Sequence, residues 1–146
     1  MRAYFLRHAS AEESGPKGDA SRRLTDQGQR EAREAAGALR ERDAHPAIIA
    51  TSPRQRARET AEIVGRALGV PVEVREGLDS GARAAAYLDA LRPTEGRDVL
   101  VVGHNPEISA IASSLAGTAV SFRPATICCI ELTGEEATLE WVRNPP

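Results

Sequence analysis

Short apolar runs along this chain alternate with longer segments in which apolar residues recur every three or four positions. The runs at residues 2–6, 47–50, 72–74 and 98–102 have the length and the β-branched or aromatic character of buried strands. The segments between them have helical periodicity. Ala32, Ala35, Ala36 and Leu39 form one stripe, in a helix that Thr25 can cap and that runs to about Arg40. Ala57, Ala61, Val64 and Leu68 form a second, Ala84, Ala85, Leu88 and Leu91 a third, and Ile108, Ile111, Ala112 and Leu115 a fourth. Ser52-Pro53 and Asn105-Pro106 read as cap and first helical residue, while Gly69 with Pro71, Pro93 and Gly117 read as stops. Residues 126–132 and 138–142 predict a closing hairpin around Thr133-Gly134-Glu135-Glu136.

This alternation predicts an α/β fold. The expected form is a three-layer sandwich with a central, mostly parallel sheet, an antiparallel C-terminal edge and helices on both faces. The length suits one domain over residues 1–146. Residues 9–23, rich in Gly, Ser, Asp and Glu, make a longer connection than a simple joint requires, which favours a functional loop.

Charge and composition narrow the chemistry. Nineteen Lys and Arg against twenty-one Asp and Glu are interspersed, giving no general attraction for nucleic acid or an anionic membrane. Three per cent aromatic content and the lack of a recognisable motif also argue against nucleic-acid binding. Cys128 and Cys129 are neighbours in an apolar run, so they point to opposite faces of a strand and suit a reducing compartment. No stretch has the form of a signal peptide or a membrane span, and the expected location is cytoplasmic.

Parallel strands would bring Arg7 and His8, Thr51 and Ser52, and Gly103 and His104 to one rim. Two of these ends run into helix N-termini, whose free amides favour an anion. Arg56 can reach back to the rim from the helix after Ser52, and Arg22 and Arg23 can fold over it from the long loop. Several guanidinium groups around two imidazoles point to phosphate, which they bind through paired hydrogen bonds. The chain has three histidines, none in a paired ligand spacing, and His45 precedes a proline at the opposite end of its strand, so neither a catalytic metal nor another cofactor is expected. Phosphoryl hydrolysis then needs a nucleophile, and His8 can serve if a backbone carbonyl holds one ring nitrogen protonated and leaves the other free. His104 would stabilise developing charge together with the arginines. Ser52 reads as a cap with its hydroxyl spent on the backbone, and Glu59 is a structural alternative partner for Arg56.

RHA at 7–9, SPRQRARETA at 52–61 and GHNP at 103–106, in this order, resemble the histidine phosphatase superfamily, and the short length resembles its SixA-like phosphohistidine phosphatase branch. RRLTDQG at 22–28 and the closing hairpin extend the likeness over nearly the whole chain. The resemblance implies that His8 is phosphorylated and then released by water, with Arg7 and Arg56 binding phosphate, His104 as the second pocket histidine and Arg22 as an additional phosphate contact. Arg54 stands where a leucine is usual and is expected to reach substrate or solvent. Larger members carry an acid in an insertion after the third strand; here that segment is REGLDSGARA, whose Glu76 and Asp79 are the available proton donors.

The missing lid favours phosphohistidine or another activated phosphoryl compound over sugar phosphates, since a phosphoramidate leaves readily once protonated whereas an alkoxide needs a donated proton. The expected function is a metal-independent phosphatase working through a covalent phosphohistidine on His8, its partner a phosphorylated protein or a small phosphorylated molecule. The alternatives are a broad small-molecule phosphomonoesterase and a non-catalytic phosphate-recognition module.

Overall fold

The computed structural model describes residues 1–92 and 95–146. Six strands form a single sheet: β1 Arg2–Arg7, β2 Ile48–Thr51, β3 Val72–Val74, β4 Val99–Gly103, β5 Ile127–Thr133 and β6 Glu136–Arg143. Their order across the sheet is β3-β2-β4-β1-β5-β6. β1 pairs in parallel with β4, β4 with β2 and β2 with β3, whereas β5 runs antiparallel to both β1 and β6. The expected α/β sandwich with a mostly parallel sheet and an antiparallel C-terminal edge is therefore what the chain forms.

Strand alternation sends neighbouring side chains to opposite layers. Ala3, Phe5, Val99, Val101, Cys128 and Ile130 face helices α3 (Ala84–Leu91) and α4 (Glu107–Ala116). Tyr4, Leu6, Leu100, Val102, Ile127 and Cys129 face helices α1 (Asp26–Glu41) and α2 (Gln55–Leu68). The adjacent cysteines thus enter separate cores, and both are free and buried. Among the described residues no helix is long and apolar enough to cross a membrane.

Several boundaries move for identifiable reasons. Thr25 caps α1 as expected, its Oγ1 accepting from the Gly28 N–H at 3.0 Å. Gly69 and Gly117 end α2 and α4 in the left-handed conformation. Ser52 does not cap α2: the helix starts at Gln55 behind Arg54, because the Ser52 hydroxyl holds the strand-to-helix turn together instead. Asn105 does not cap α4 either. Its Nδ2 donates to the Phe122 carbonyl at 2.9 Å and its Oδ1 accepts from Ser109 Oγ at 2.7 Å, and the cap position falls on Pro106. The inward face of α3 is Tyr87, Ala90 and Leu91 rather than a stripe containing Leu88, which is 37% exposed. The helix is apolar on most sides, so its spacing alone did not specify which side would be covered. The stop assigned to Pro93 lies outside the described residues.

Candidate active site

The C-terminal ends of β1, β4 and β2 lie side by side, with Arg7 opposite Gly103 and Thr51 opposite Val102. The backbone ladder continues past them: His8 N–H donates to Gly103 O and Ser52 N–H to Val102 O, each at 3.1 Å. This is the crevice where open α/β sheets bind their ligands. It places the His8 and His104 rings with centroids 5.2 Å apart and tilted by 58°. One tetrahedral oxyanion can bridge rings at that separation.

His8 is 8% exposed and its Nδ1 lies 2.8 Å from the Ala9 carbonyl oxygen. A carbonyl only accepts, so Nδ1 carries the proton and Nε2 keeps its lone pair. Arg56 Nε donates to that Nε2 at 3.3 Å. The Ala9 turn is held in place by Thr60, whose Oγ1 accepts from Ala9 N–H at 3.1 Å and donates to the Arg56 carbonyl at 2.8 Å. Thr60 thus ties the nucleophile's turn to the helix that carries the guanidinium. Sequence reasoning missed it, since a threonine on a helix face has no distinctive pattern.

Arg7 donates through Nη1 to Phe122 O at 3.0 Å, while its buried Nε has no partner. His104 is 2% exposed; its Nε2 lies 2.7 Å from Ser52 Oγ, and its buried Nδ1 has no partner. Behind it, Gly103 leaves room for Tyr87, whose ring would overlap any Cβ at that position and whose Oη accepts from His104 N–H at 3.4 Å.

Loss of solvent lowers the pKa of both histidines. His8 falls to about 3, burial acting first and the nearby His104, Arg56 and Arg7 adding to it against the Ala9 hydrogen bond. His104 falls to about 4 through burial and then the Arg56 and Arg54 charges. Both imidazoles are therefore neutral at physiological pH. Burial also lowers Arg56 and Arg7, the latter with help from Arg56.

The second unforeseen residue is Asp19, in the 3-10 turn Asp19–Ser21 of the long loop. Its carboxylate accepts from Arg56 Nη2 at 3.2 Å, from Arg22 Nη1 at 3.1 Å and from Arg54 Nη1, and its carbonyl accepts from Arg56 Nη1 at 3.0 Å. The Arg22 hydrogen bond first, with the Arg56 and Arg54 charges, holds this carboxyl below its ordinary pKa. Three guanidinium groups thus converge on one carboxylate beside His8. Only the three-residue spacing of Asp19 and Arg22 hints at this in sequence.

Arg22 joins the cluster through Asp19, as a loop arginine near the site was expected to do. Arg23 does not: it is exposed and pairs with Glu12 at 3.4 Å. Arg56 pairs with Asp19 and not with Glu59, which instead accepts from Leu24 N–H at 3.1 Å. Arg54, with a side chain 21% exposed, bridges Asp19 and Asp79. Asp79 accepts from Arg54 Nε at 2.6 Å. Burial alone would raise its carboxyl, but the Arg54 guanidinium and the Ser80 N–H outweigh that and leave it below its ordinary pKa. Glu76 is exposed at the start of the 3-10 turn Glu76–Leu78 and lines a separate cleft with Leu78 and Ala86. Among the described residues, no group of three or more His, Cys, Asp or Glu side chains is arranged to hold a metal ion.

This geometry carries the residue set of a phosphoryl-transfer site, and the sequence matches the family model of the histidine phosphatase superfamily (branch 1) over residues 3–80. The chain belongs to that superfamily. An uncharacterized protein of Picosynechococcus is 34% identical over 121 residues, covering 80% of this chain and 73% of that protein. Among solved structures, the protein histidine phosphatase SixA complexed with tungstate superposes with a TM-score of 0.87 at 29% identity, covering 97% of this chain and 96% of the other. A protein assigned as the phosphohistidine phosphatase SixA of Agrobacterium tumefaciens does so with a TM-score of 0.86 at 26% identity, covering 99% and 98%. Within the superfamily the chain is thus SixA-like, and its fold and site are consistent with phosphatase activity.

Proposed function

We propose that this protein is a metal-independent phosphatase that hydrolyses phosphohistidine through a covalent phosphoryl group on His8 Nε2. The observation that carries the reading is the His8 ring itself: Nδ1 is tied to Ala9 O at 2.8 Å, so Nε2 presents its lone pair between Arg56 and the second imidazole. Nε2 attacks phosphorus and the bond from phosphorus to the substrate nitrogen breaks. Its electron pair goes to the substrate imidazole, which is already protonated on its other nitrogen and leaves neutral. Water then attacks phosphorus, both its protons staying with the phosphate as dihydrogen phosphate, and the electron pair of the Nε2–phosphorus bond returns to His8. Arg7, Arg56 and His104 hold the phosphoryl oxygens through both steps, and Arg22 and Arg54 extend the positive rim once the anion replaces Asp19.

The state of the carboxyls supports the choice of substrate. Asp19 and Asp79 are both held ionised by arginines, and Glu76 faces another cleft. None is poised to protonate a departing alkoxide, which a phosphomonoester requires and a protonated phosphoimidazole does not.

Turnover of a phosphohistidine peptide, compared with p-nitrophenyl phosphate and with and without chelator, tests the reading. The wild type should favour the peptide, be indifferent to chelator and acquire acid-labile, alkali-stable phosphate on rapid quench. His8→Ala should lose the label and about 10³-fold or more in kcat/KM. Full rate in His8→Ala, or a preference for the ester that depends on Asp79 or Glu76, would refute it.

A further inference from the structure

Ser52 Oγ accepts from the Arg54 N–H at 3.2 Å and lies 2.7 Å from His104 Nε2. The residue is fully buried. A hydroxyl has one proton to give. If His104 Nε2 donated to Ser52, the proton of this buried hydroxyl would have no acceptor among its partners, and His104 Nδ1 would be a bare buried acceptor. Two buried polar groups would then be unsatisfied, each carrying a desolvation cost, against one in the alternative. If Ser52 donates to Nε2 instead, the hydroxyl is satisfied on both counts. The proton of His104 then sits on Nδ1, the buried ring nitrogen that has no protein partner.

Resting on the phosphoryl-site reading above, we infer that Ser52 is a positioning residue that fixes His104 in the Nδ1–H tautomer and so makes this ring a hydrogen-bond donor to the phosphoryl group. The inference matters because a neutral imidazole has only one N–H to offer: on the wrong nitrogen, His104 would present a lone pair to an anion. Arg7 Nε, also buried and unpartnered on the adjacent strand end, is the second donor left over for the same ligand. The two motifs involved, the SPR turn and the GHN turn, are thereby coupled through one hydroxyl.

Nitrogen-15 NMR of the wild-type protein, with and without inorganic phosphate, reads the tautomer directly. The expected spectrum has His104 protonated on Nδ1 in both states, and in Ser52→Ala a mixture of both tautomers in the phosphate-free protein. Ser52→Ala should weaken inorganic phosphate binding by roughly 10-fold, well short of the ~10⁴ loss in turnover known where a catalytic histidine is locked in the wrong tautomer. In a His104→Ala background the same Ser52→Ala change should have almost no further effect on phosphate affinity, whereas a merely structural role would persist there. Protonation of His104 on Nε2 in the wild type, or phosphate affinity within about 2-fold on Ser52→Ala, would overturn the inference. Should Ser52→Ala not fold, the wild-type spectrum alone decides. None of these readouts requires turnover, so a failure to hydrolyse phosphohistidine would sink the proposed function and leave this assignment standing.

Discussion

Neither site imidazole carries a charge at neutral pH, and the reason sets how the protein responds to acid. The ordinary value for a histidine is 6.5, while burial holds His8 to about 3 and His104 to about 4 in the fold. Between those folded values and 6.5 the unfolded chain takes up protons that the fold refuses, so stability rises with pH across that window and is flat above it. At pH 5 each imidazole should cost about 2 kcal/mol relative to pH 8, from roughly 1.4 kcal/mol per pKa unit. Asp19 and Asp79, held below their ordinary values, act in the same direction at lower pH, their contribution being lost as pH falls below 3.8. Urea midpoints at the two pH values should fall on acidification, and His104→Gln should make the fall shallower. An unchanged midpoint between pH 8 and pH 5 would contradict the burial argument. His8, Arg7, Arg56 and His104 were all legible in the sequence because each sits beside a strand end or helix start that periodicity can locate. Asp19 and Thr60 were not, because their importance lies in contacts made across 37 and 51 residues of chain.

On the level of elements, the strand-to-helix turns do more than join neighbours. Three of the expected helix ends, Thr25, Gly69 and Gly117, are the caps and stops that propensity predicts, and Gly134 turns the closing hairpin with a positive φ. The two turns that departed from expectation, at Ser52 and Asn105, are the two whose polar side chains are drawn into tertiary hydrogen bonds near the site. Local capping lost to those longer-range partners. Gly103 shows the same dependence. Its lack of a side chain admits Tyr87, and the Tyr87 ring in turn backs His104. Gly103→Ala should therefore cost about 1–3 kcal/mol through overpacking and displace His104, lowering turnover more than a remote change of equal cost. Tyr87→Phe in the Gly103→Ala background should restore part of both, because it removes the atom a Cβ would meet first. Thermal unfolding together with kcat for the single and double variants checks this; additive losses would show the two positions are independent.

Across the whole molecule, the long first loop is drawn to the rim by charge. Asp19 is half exposed and its one carboxylate is shared by Arg22, Arg54 and Arg56, so an incoming anion must compete with it. With the shared carboxylate half exposed to solvent, such pairs are worth about 1 kcal/mol each. Asp19→Asn should then tighten inorganic phosphate binding by roughly 3-fold to 10-fold, since 1.4 kcal/mol is a factor of ten. Titration calorimetry at low and moderate salt would show it, the difference shrinking as salt rises. Weaker binding in Asp19→Asn would mean that the carboxylate orders the arginines more than it competes with the ligand.

The sequence by itself determined the layers, the strand directions and the placement of two histidines and two arginines at one rim. It could do so because hydrophobic period, turn residues and the geometry of parallel crossovers are local or nearly local constraints. Only the tertiary structure decided which side of α3 is covered, where α2 and α4 begin, that Asp19 occupies the guanidinium cluster and that Ser52 faces His104. Those outcomes depend on which polar groups lose water together, and residues far apart along the chain meet that condition only after the sheet has brought them side by side.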